Sequence, residues 1–420
     1  MTVAPPLVNR ERAESFMAGA GLDAVVAASQ ANVFYLSGYH CWLEPLMLGW
    51  MAQPGATSHP VQESFALLPR DGAPALVIGA FFAPDALASG VEDVRLHGVV
   101  PFDDALPAAV ATGAAARVQE AHQRSGGAGP MEALAAAIRD RGLAGSRIGL
   151  DLSGAVPRLR DRLAAELPGA ELRDCTSLLR LVRMVKTEPE LALLARSAEI
   201  NERAGVETAR SAAAGMAVAE LSDRFLVALA RERAHFDHFS PGIAGLGLSS
   251  STVSTLTAGE VLCIDFGCIY GRYFSDAGIT LALDDPAPEL AARYEALREC
   301  IVEIGVGAMR PGVRASAVHH AMADHLAARG ITAVFPHGHG LGLELRDYPI
   351  LVPDAGLRIA DDCVDVAADL DLEPGMVINL EASVFVPGVA SVEVEITTVV
   401  TANGARPFVP QERSAPVRPG

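Results

Sequence analysis

The chain of 420 residues is short of several residue types that would assign it to a particular class of protein. It contains a single lysine, Lys186, among 33 lysine and arginine residues, and its net charge is −18. Such an acidic chain is not expected to bind nucleic acid or an anionic membrane surface, because both repel negative charge. Aromatic residues are few (5%), yet half of the residues are apolar, which is typical of a globular protein.

Cysteine usage and hydropathy argue against further classes. The six cysteines form no CxxC pair and no regular framework, so we expect free thiols in a reducing, cytoplasmic compartment. No run of about 18 apolar residues is present that could cross a membrane. The first sixteen residues lack a basic segment followed by an apolar one, so no secretion signal is expected.

Two domains are predicted, because 420 residues exceed what one hydrophobic core usually supports. Over residues 1–184, short apolar runs such as Ala24–Ala28 alternate with alanine-rich helical segments, which predicts a three-layer α/β domain. Thr187 and Glu190 have the spacing of a capping box that opens a long helix. Residues 185–420 are predicted to form an α+β domain with antiparallel hairpins.

Two hairpins of the second domain carry acidic residues at positions where apolar ones are expected. Asp265 follows four apolar residues, and a two-residue turn at Tyr270–Gly271 would place Asp276 directly opposite it. A three-residue loop in the second hairpin would likewise make Glu381 and Glu395 direct neighbours. Burying such a carboxylate costs on the order of several kcal/mol unless it is paired or bound to a metal ion.

These four carboxylates in two facing pairs favour a metal site. For any one of them, a solvent-facing position on a half-exposed strand is the alternative. Oxygen ligands with one nitrogen suit Mn, Fe, Co or Zn, and two such ions close together lower the pKa of a water that they share. The histidine-rich stretch of residues 335–349 supplies the nitrogen ligand, His339.

The order Asp, Asp, His, Glu, Glu, with gaps of 11, 63, 42 and 14 residues, resembles the pita-bread metallohydrolases. That family includes prolidase, Xaa-Pro aminopeptidase, methionine aminopeptidase and the metal-free creatinase. The segments GHGLGL (338–343) and EPGMVINLE (373–381) look like its metal-histidine and first-glutamate motifs. ANVFYLSG (31–38) and RMVKTEPELALLARSAEI (183–200) look like the N-terminal domain and linker helix of the prolidase and creatinase branch.

The resemblance implies a centre of two divalent ions (Mn, Fe, Co or Zn) with five protein ligands: Asp265, Asp276, His339, Glu381 and Glu395. It implies that Glu381 is the catalytic base and that the protein is a homodimer. Arg346 and His337 are the further candidate catalytic residues, and His337, which follows Pro336, is expected to support the centre and not to bind metal. The implied activity is hydrolysis of a peptide or amide C–N bond in a small substrate, such as an Xaa-Pro dipeptide.

Two auxiliary histidines of the peptidases have no counterpart at the corresponding positions. Eleven residues before Gly259–Glu260 stands Leu248, and the second position holds Arg346. A non-peptidase relative is therefore the alternative, either a lyase of the dimethylsulfoniopropionate type or an amidohydrolase of the ectoine or creatine type. A non-catalytic binding protein on the same fold is a third class, and the full ligand set argues against it.

Arg346 has two interpretations. It either clamps a substrate carboxylate with paired hydrogen bonds or forms an ion pair with Glu393, which stands where the family usually has arginine. His235, His238 and Tyr348 complete the candidate substrate contacts. The alternative for the two histidines is a structural role, and for the tyrosine it is packing in the core or at the rim of the site.

Overall fold

The computed structural model describes residues 7–41, 63–100, 112–125, 128–153, 156, 158–250, 253–410 and 414–420. The chain divides into an N-terminal unit, Met1–Arg183 with Ile359–Val366, and a C-terminal unit, Met184–Arg358 with Ala367–Gly420. Within the described ranges, no helix combines the length and the apolar character needed to cross a membrane.

Among the described residues of Met1–Arg183 there are six α-helices and six strands. The helices are α1 (Arg10–Ala20), α2 (Gln30–Ser37), α3 (Ala114–Ser125), α4 (Pro130–Arg139), α5 (Leu159–Glu166) and α6 (Thr176–Arg183), and a 3₁₀ helix spans Ala80–Ala88. The strands are β1 (Ala24–Ala27), β2 (Phe65–Pro69), β3 (Ala75–Gly79), β4 (Asp93–His97), β5 (Arg147–Leu150) and β6 (Glu171–Asp174). They form one mixed sheet in the order β4-β3-β2-β1-β5-β6. The predicted α/β class of this part of the chain is confirmed.

The core of this unit lies where helix α4 packs on the sheet. Strands β1, β2 and β3 are buried along their whole length, as expected for continuous apolar runs. Met131, Leu134 and Ile138 recur along α4 at helical spacing and belong to the same buried cluster as the strand residues.

Buried Asp151 connects the end of β5 to helix α2, which is formed by the ANVFYLSG segment. Its Oδ2 accepts hydrogen bonds from Ser29 N (2.9 Å), Ser29 Oγ (2.6 Å) and Asn32 Nδ2 (2.8 Å). Burial by itself raises the pKa of Asp151, but these donors and Ser153 outweigh it and hold the pKa below its ordinary value. This motif therefore serves the fold of the N-terminal unit.

The C-terminal unit contains longer strands. Its helices are α7 (Glu188–Arg210), α8 (Val218–Arg231), α9 (Pro288–Arg298), α10 (Val306–Ala308) and α11 (Ala315–Ala328), and a π-helix (Glu299–Gly305) joins α9 to α10. Its strands are β7 (His235–Pro241), β8 (Val261–Tyr270), β9 (Tyr273–Ala282), β10 (His337–Gly340), β11 (Asp347–Leu351), β14 (Val377–Val386), β15 (Ala390–Thr401) and β16 (Gly404–Pro407). Strands β12 (Arg358–Ala360) and β13 (Asp365–Ala367) pair with each other and lie mostly in the Ile359–Val366 segment of the N-terminal unit. The main sheet follows the order β11-β10-β14-β15-β8-β7, with β9 paired to β8 and β16 to β15.

Helix α7 begins at the predicted capping box and packs on the β8–β9 hairpin. The backbone N–H of Thr187 donates to Glu190 Oε2 (2.8 Å). Farther along the helix, Asn201 Nδ2 donates to the Phe266 carbonyl (3.0 Å) and Ser197 Oγ donates to the Tyr273 carbonyl (3.1 Å). These buried contacts hold one face of the hairpin against the helix.

The turn of the β8–β9 hairpin lies one residue later than predicted. Gly271 and Arg272 occupy it with φ angles of 57° and 76°, and Tyr270 pairs with Tyr273. Two consecutive residues with positive φ are what a two-residue hairpin turn of type I′ requires.

This turn changes the relation between the two aspartates. Asp265 faces Gly278, and Asp276 faces Gly267, so the predicted direct opposition was wrong. Moving the turn by one residue shifts the pairing by two, which preserves the side of the sheet on which each side chain lies. The aspartates are therefore diagonal neighbours on one face, still within reach of a shared partner.

The β14–β15 hairpin has the predicted register. Val386 pairs with Ala390 across a three-residue loop, and Glu381 pairs with Glu395. The prediction that these two glutamates are direct neighbours is confirmed.

Candidate metal centre

Two acidic hairpins of the C-terminal unit, β8–β9 and β14–β15, lie against each other. Thr397 Oγ1 donates to the Asp276 carbonyl (3.0 Å), and Thr280 Oγ1 donates to the Glu393 carbonyl (2.8 Å). These hydrogen bonds join β9 to β15. The two hairpins together bring five carboxylates close to one another, a set that we name the acidic cluster: Asp265, Asp276, Glu381, Glu393 and Glu395.

Potential ligand atoms fall into two groups. One such atom from each residue of a group lies within 4.8 Å of the others, and the groups are His238 with Asp265 and Asp276, and Glu381 with Glu393 and Glu395. Two oxygens on opposite sides of one cation are about 4–5 Å apart, since the bonds are about 2.0–2.6 Å long. Each group is therefore compact enough to surround one divalent ion.

His238 lies between the two aspartates. Its Nε2 is 2.8 Å from Asp265 Oδ1 and 3.4 Å from Asp276 Oδ1, and its Nδ1 is 2.7 Å from Asp237 Oδ2. An irregularity in the pairing at Asp237 brings it there, because His238 pairs with Gly267 and so shares a face with Asp265. The imidazole occupies the position at which a cation is expected between two carboxylates.

His339 presents one ring nitrogen to the acidic cluster. Its Nδ1 is 3.1 Å from the Gly340 carbonyl, which can only accept, so Nδ1 is the donor. Its Nε2 is fully buried, lies 3.3 Å from Asp276 Oδ2 and has no hydrogen-bond partner among the described residues. A buried nitrogen beside a carboxylate needs either a proton of its own or a cation between the two, so Nε2 is suited to bind a metal ion.

Glu381 is in contact with two imidazoles and one guanidinium group. Its Oε1 lies 2.6 Å from His337 Nε2, 3.2 Å from Arg346 Nη2 and 3.8 Å from His339 Nε2. Burial alone lowers the pKa of His337, but the hydrogen bond with Glu381 outweighs it and raises that pKa. Glu381 and His337 are therefore placed to share a proton.

Arg346 does not pair with Glu393, so that interpretation was wrong. The Arg346 side chain is 56% exposed and contacts Glu381, whereas Glu393 is 2% exposed. The ion pair fails because the two side chains lie at different depths of the site. The second interpretation, a clamp for a substrate carboxylate, stays a prediction.

Glu393 and Glu395 are the deeply buried members of the acidic cluster. Asn379 Nδ2 donates to Glu395 Oε1, whereas Oε2 of each glutamate lacks a hydrogen-bond partner in the described part of the chain. Burial first, and then the charges of Asp276 and Asp265, raise the pKa of Glu395 well above its ordinary value. The pKa of Glu393 is raised in the same way, by burial and then by Asp265 and Glu381.

The pKa shifts of the two aspartates and of His238 reflect the charges that surround them in the acidic cluster. Burial raises the pKa of Asp265 despite its hydrogen bond with His238. Burial by itself raises the pKa of Asp276, but the nearby imidazoles of His238 and His339 outweigh it and hold the pKa at about 2. Burial by itself lowers the pKa of His238, but hydrogen bonds with Asp237 and Asp265 and the nearby carboxylate of Asp276 raise it to about 12. The acidic cluster contains five carboxylates, and few cationic side chains face it. Divalent ions would offset this excess of negative charge.

The residues present fit divalent metal ions. Four buried ligand atoms have no hydrogen-bond partner within the described ranges: Asp276 Oδ1, His339 Nε2, Glu393 Oε2 and Glu395 Oε2. Buried polar atoms are otherwise almost always satisfied. Carboxylate oxygens with imidazole nitrogen are donors that suit Mn, Fe, Co and Zn.

Comparison with known protein families shows the family to which the chain belongs. Residues 192–402 match the profile of metallopeptidase family M24, and residues 10–185 match the creatinase/prolidase N-terminal domain. The chain belongs to metallopeptidase family M24. The resemblance drawn from the motifs is thereby confirmed, and this M24 protein is a metal-dependent hydrolase of the peptidase type.

Individual relatives of this M24 protein are distant in sequence. A Bacillus subtilis (strain 168) protein named uncharacterized peptidase YqhT is 27% identical over 254 residues, 58% of this chain and 67% of the relative. The Xaa-Pro dipeptidase of Lactobacillus delbrueckii subsp. lactis is 26% identical over 61% of this chain and 68% of its own length.

Solved structures share the fold over nearly the whole chain. X-Pro aminopeptidase from Thermotoga maritima MSB8 superposes with a TM-score of 0.71 at 17% identity, covering 98% of this chain and 99% of that one. Dipeptidase PepE from Mycobacterium ulcerans superposes with a TM-score of 0.68 at 24% identity, covering 97% of both chains. The predicted fold class, an α/β domain followed by a pita-bread domain, is confirmed.

The structure separates the residues predicted to contact substrate. His238 reaches the acidic cluster, whereas His235 is exposed and pairs with Ile269, four positions along β8 from Asp265. Tyr348 is half-buried on the edge strand β11.

Three residues in or beside the acidic cluster were not proposed from the sequence as parts of the centre. Glu393 was considered only as a partner for Arg346. Asp237 holds Nδ1 of His238, and Asn379 holds Glu395. Strand alternation could have indicated Asn379 and Glu393. Each lies two residues before a predicted ligand, and residues two apart in a strand share a face.

Proposed function

We propose that this M24 metallopeptidase hydrolyses a C–N bond of a small substrate, and that Xaa-Pro dipeptides are the substrate class to test first. The observation that carries the proposal is the convergence of the acidic cluster with His339, in which four buried ligand atoms of the described chain lack hydrogen-bond partners. The name of the Lactobacillus relative, Xaa-Pro dipeptidase, supports the substrate class.

The proposed centre holds two divalent ions through five residues: Asp265, Asp276, His339, Glu381 and Glu395. Divalent ions supply Lewis acidity, which polarises a carbonyl oxygen and lowers the pKa of water. Asn379 supports this set by keeping the Glu395 side chain oriented through a buried hydrogen bond.

The protein's own side chains then handle the protons. Glu381 accepts the proton of the attacking water, and His337 shares it across the 2.6 Å contact with Glu381 Oε1. His337 Nδ1 lies 3.2 Å from the Phe335 carbonyl, which keeps Nε2 turned towards Glu381. His238, held by Asp237, supplies a second imidazole that can give a proton to the leaving amine.

Elimination of the dimethylsulfoniopropionate type is the second candidate. The absence of two histidines favours it, because Leu248 and Arg346 stand at the sequence positions where the peptidases carry auxiliary histidines. The structure nevertheless brings two other imidazoles, His238 and His337, to the acidic cluster. Their presence supports hydrolysis over elimination, because transfer of a proton to a leaving amine needs an acid near the centre.

A substrate panel tests these alternatives directly. Purified protein reconstituted with Mn²⁺ is incubated with Xaa-Pro dipeptides, with matched dipeptides lacking proline, with dimethylsulfoniopropionate and with ectoine-like amides. Release of free proline from the first set is the expected result. Formation of an alkene and a thioether from dimethylsulfoniopropionate, without dipeptide cleavage, would establish the lyase instead.

Replacing Arg346 by alanine is expected to raise KM for substrates with a free carboxylate and to leave kcat largely unchanged. A guanidinium group that binds the carboxylate in both ground and transition states contributes uniform binding. The loss of stability is expected to stay below about 1 kcal/mol, since the pair with Glu381 is exposed on its arginine side. Steady-state kinetics with dipeptides and their C-terminal amides measure the effect.

Arg231→Ala is the matched control. Arg231 lies 3.2 Å from Glu207, the same separation as in the pair of Arg346 with Glu381, but on helices α8 and α7. It should leave KM unchanged. An Arg346→Ala variant with unaltered KM for free dipeptides would rule out the clamp.

We further propose that the protein is cytoplasmic and homodimeric. The six cysteines, all in the described part of the chain, form no disulfide bond with one another, which supports a reducing compartment. The homodimer is proposed from the family resemblance, and sedimentation equilibrium of the purified chain tests it.

A further inference from the structure

Glu393 lies beside the proposed ligands on strand β15. In strand β15, residues two apart present their side chains to the same face, so Glu393 shares a face with Glu395. Glu395 pairs with Glu381 on the neighbouring strand. Strand geometry therefore places three glutamates next to one another.

Gly278 on β9 leaves the space into which Glu393 projects. A Cβ atom at this position would lie 2.7 Å from Glu395 Oε2 and 2.8 Å from Glu393 Oε2. Any side chain here would displace both carboxylates. Gly278 pairs with Asp265, so this space borders the aspartate side of the cluster as well.

Glu393 has little to balance its charge. It is 2% exposed, and Oε2 has no hydrogen-bond partner within the parts of the chain that the structure describes. The neighbouring Cys263 contributes a thiol contact, which is a weak donor and carries no positive charge. Burying a carboxylate in this way is costly unless a cation or a proton neutralises it.

We propose that Glu393 is an additional ligand of the metal centre. One oxygen from each of Glu381, Glu393 and Glu395 lies within 4.8 Å of the others, a spacing that one divalent ion can bridge. The inference rests on the proposed centre and adds a sixth protein residue to its set of five. A further carboxylate makes the centre harder and more negative, which shifts its relative preference towards Mn²⁺ compared with the five-residue set.

Metal binding tests the proposal without reference to activity. Metal-free wild type and Glu393→Gln are titrated with Mn²⁺ and Zn²⁺ by calorimetry, and the bound ions are counted by mass spectrometry. We expect the variant to bind Mn²⁺ more weakly by a factor of about 10–100 or more. That range is typical when a residue that only supports a metal ligand is removed, and loss of a ligand should have at least that effect. Zn²⁺ affinity should fall less, which would shift the preference of the site towards Zn²⁺.

Glu190→Gln is the matched control. Glu190 is also a buried carboxylate, at 1% exposure, but it is bonded to Tyr273 and Thr187 outside the cluster. Its Mn²⁺ affinity should equal that of wild type. Glu393→Asp, which keeps the charge but withdraws it by one methylene, provides a second test if Glu393→Gln does not fold, and is expected to bind Mn²⁺ with intermediate affinity.

The outcomes separate this inference from the proposed function. Unchanged Mn²⁺ affinity and metal preference in a folded Glu393→Gln variant would overturn the role of Glu393 and leave the five-residue centre intact. A wild-type protein that binds neither ion would instead overturn the centre itself. The melting temperature of the metal-free proteins provides further support if Glu393→Gln melts no lower than wild type. Removing a carboxylate with a purely structural role would lower the melting temperature even without metal.

Discussion

Replacing His339 by alanine is expected to lower kcat/KM by at least about 10³-fold and to reduce bound metal from two ions to one or none per chain. The Nε2 atom of His339 is fully buried, faces Asp276 and has no hydrogen-bond partner among the described residues. Loss of this proposed ligand would weaken or empty one ion site. Lewis-acid stabilisation is worth several kcal/mol, and about 1.4 kcal/mol corresponds to tenfold in rate.

The measurement combines steady-state kinetics on the substrate found in the panel with a metal count by mass spectrometry. His97→Ala is the control, since His97 is also buried but bonds through Nε2 to the Glu63 carbonyl in the N-terminal unit (2.6 Å). The control should lose stability while keeping its metal content. A His339→Ala variant that retains both ions and full activity would contradict the assignment of His339 as a ligand.

The second large effect concerns the pH dependence of stability. Metal-free protein is expected to become less stable as the pH rises from 5 to 8, whereas stabilisation by added Mn²⁺ is expected to increase over the same range. At 100 times its dissociation constant, a bound ion adds about 2.7 kcal/mol, or roughly 5–10 °C in Tm for a unit of this size.

The direction follows from the pKa shifts. The folded-state pKa values of Glu393 and Glu395 lie well above the unfolded value of about 4.3. Their contribution to stability is complete below the unfolded pKa and is lost as the pH rises through the folded pKa. His238 acts in the same direction, because its pKa of about 12 exceeds the unfolded value of about 6.5.

Asp276 has the opposite sign but acts outside this pH window. Its folded-state pKa of about 2 lies below the unfolded value of about 3.9, so its contribution is present above pH 4 and is lost only in stronger acid. Four histidines whose pKa is lowered by burial (His97, His122, His319 and His325) oppose the trend within the window, and the difference between the series with and without Mn²⁺ removes their effect. Metal ions need deprotonated ligands. Binding therefore competes with the protons held by Glu393 and Glu395, and this competition weakens as the pH rises.

Calorimetric melting at pH 5, 6, 7 and 8, with EDTA or with Mn²⁺, measures both trends. Glu190 needs separate treatment, because burial raises its pKa to about 7 and it also loses its contribution in this range. It lies outside the acidic cluster, so the difference between the two series removes its effect. A Mn²⁺-induced rise in Tm that is equal at pH 5 and pH 8 would contradict the competition between metal and protons.

Much of the fold and of the candidate site follows from local rules. The capping box at Thr187 predicted where helix α7 begins, because the hydrogen bonds that start a helix involve residues three apart. The three-residue loop predicted the pairing of Glu381 with Glu395, because loop length determines hairpin register. The ordered acidic and histidine motifs predicted the family, which the M24 profile confirms.

The errors lie where two plausible turns or partners compete. Placing the first hairpin turn at Gly271–Arg272 required a positive φ at an arginine, which residue preferences do not favour. The partner of Arg346 could not be chosen from the sequence, since charge complementarity allows any nearby carboxylate. The exposure of the side chains decided which carboxylate pairs with Arg346. Arg346 lies at the surface and contacts Glu381, whereas Glu393 is buried.

The sequence by itself therefore determined the two hairpins, the faces on which their carboxylates lie and the family, because strand alternation and turn length act over a few residues. Only the tertiary structure decided that His238 and Glu393 join the acidic cluster. The irregularity at Asp237 turns His238 onto the face of Asp265, and Gly278 on another strand makes room for Glu393. Both depend on pairing and packing between distant segments, which local sequence does not encode.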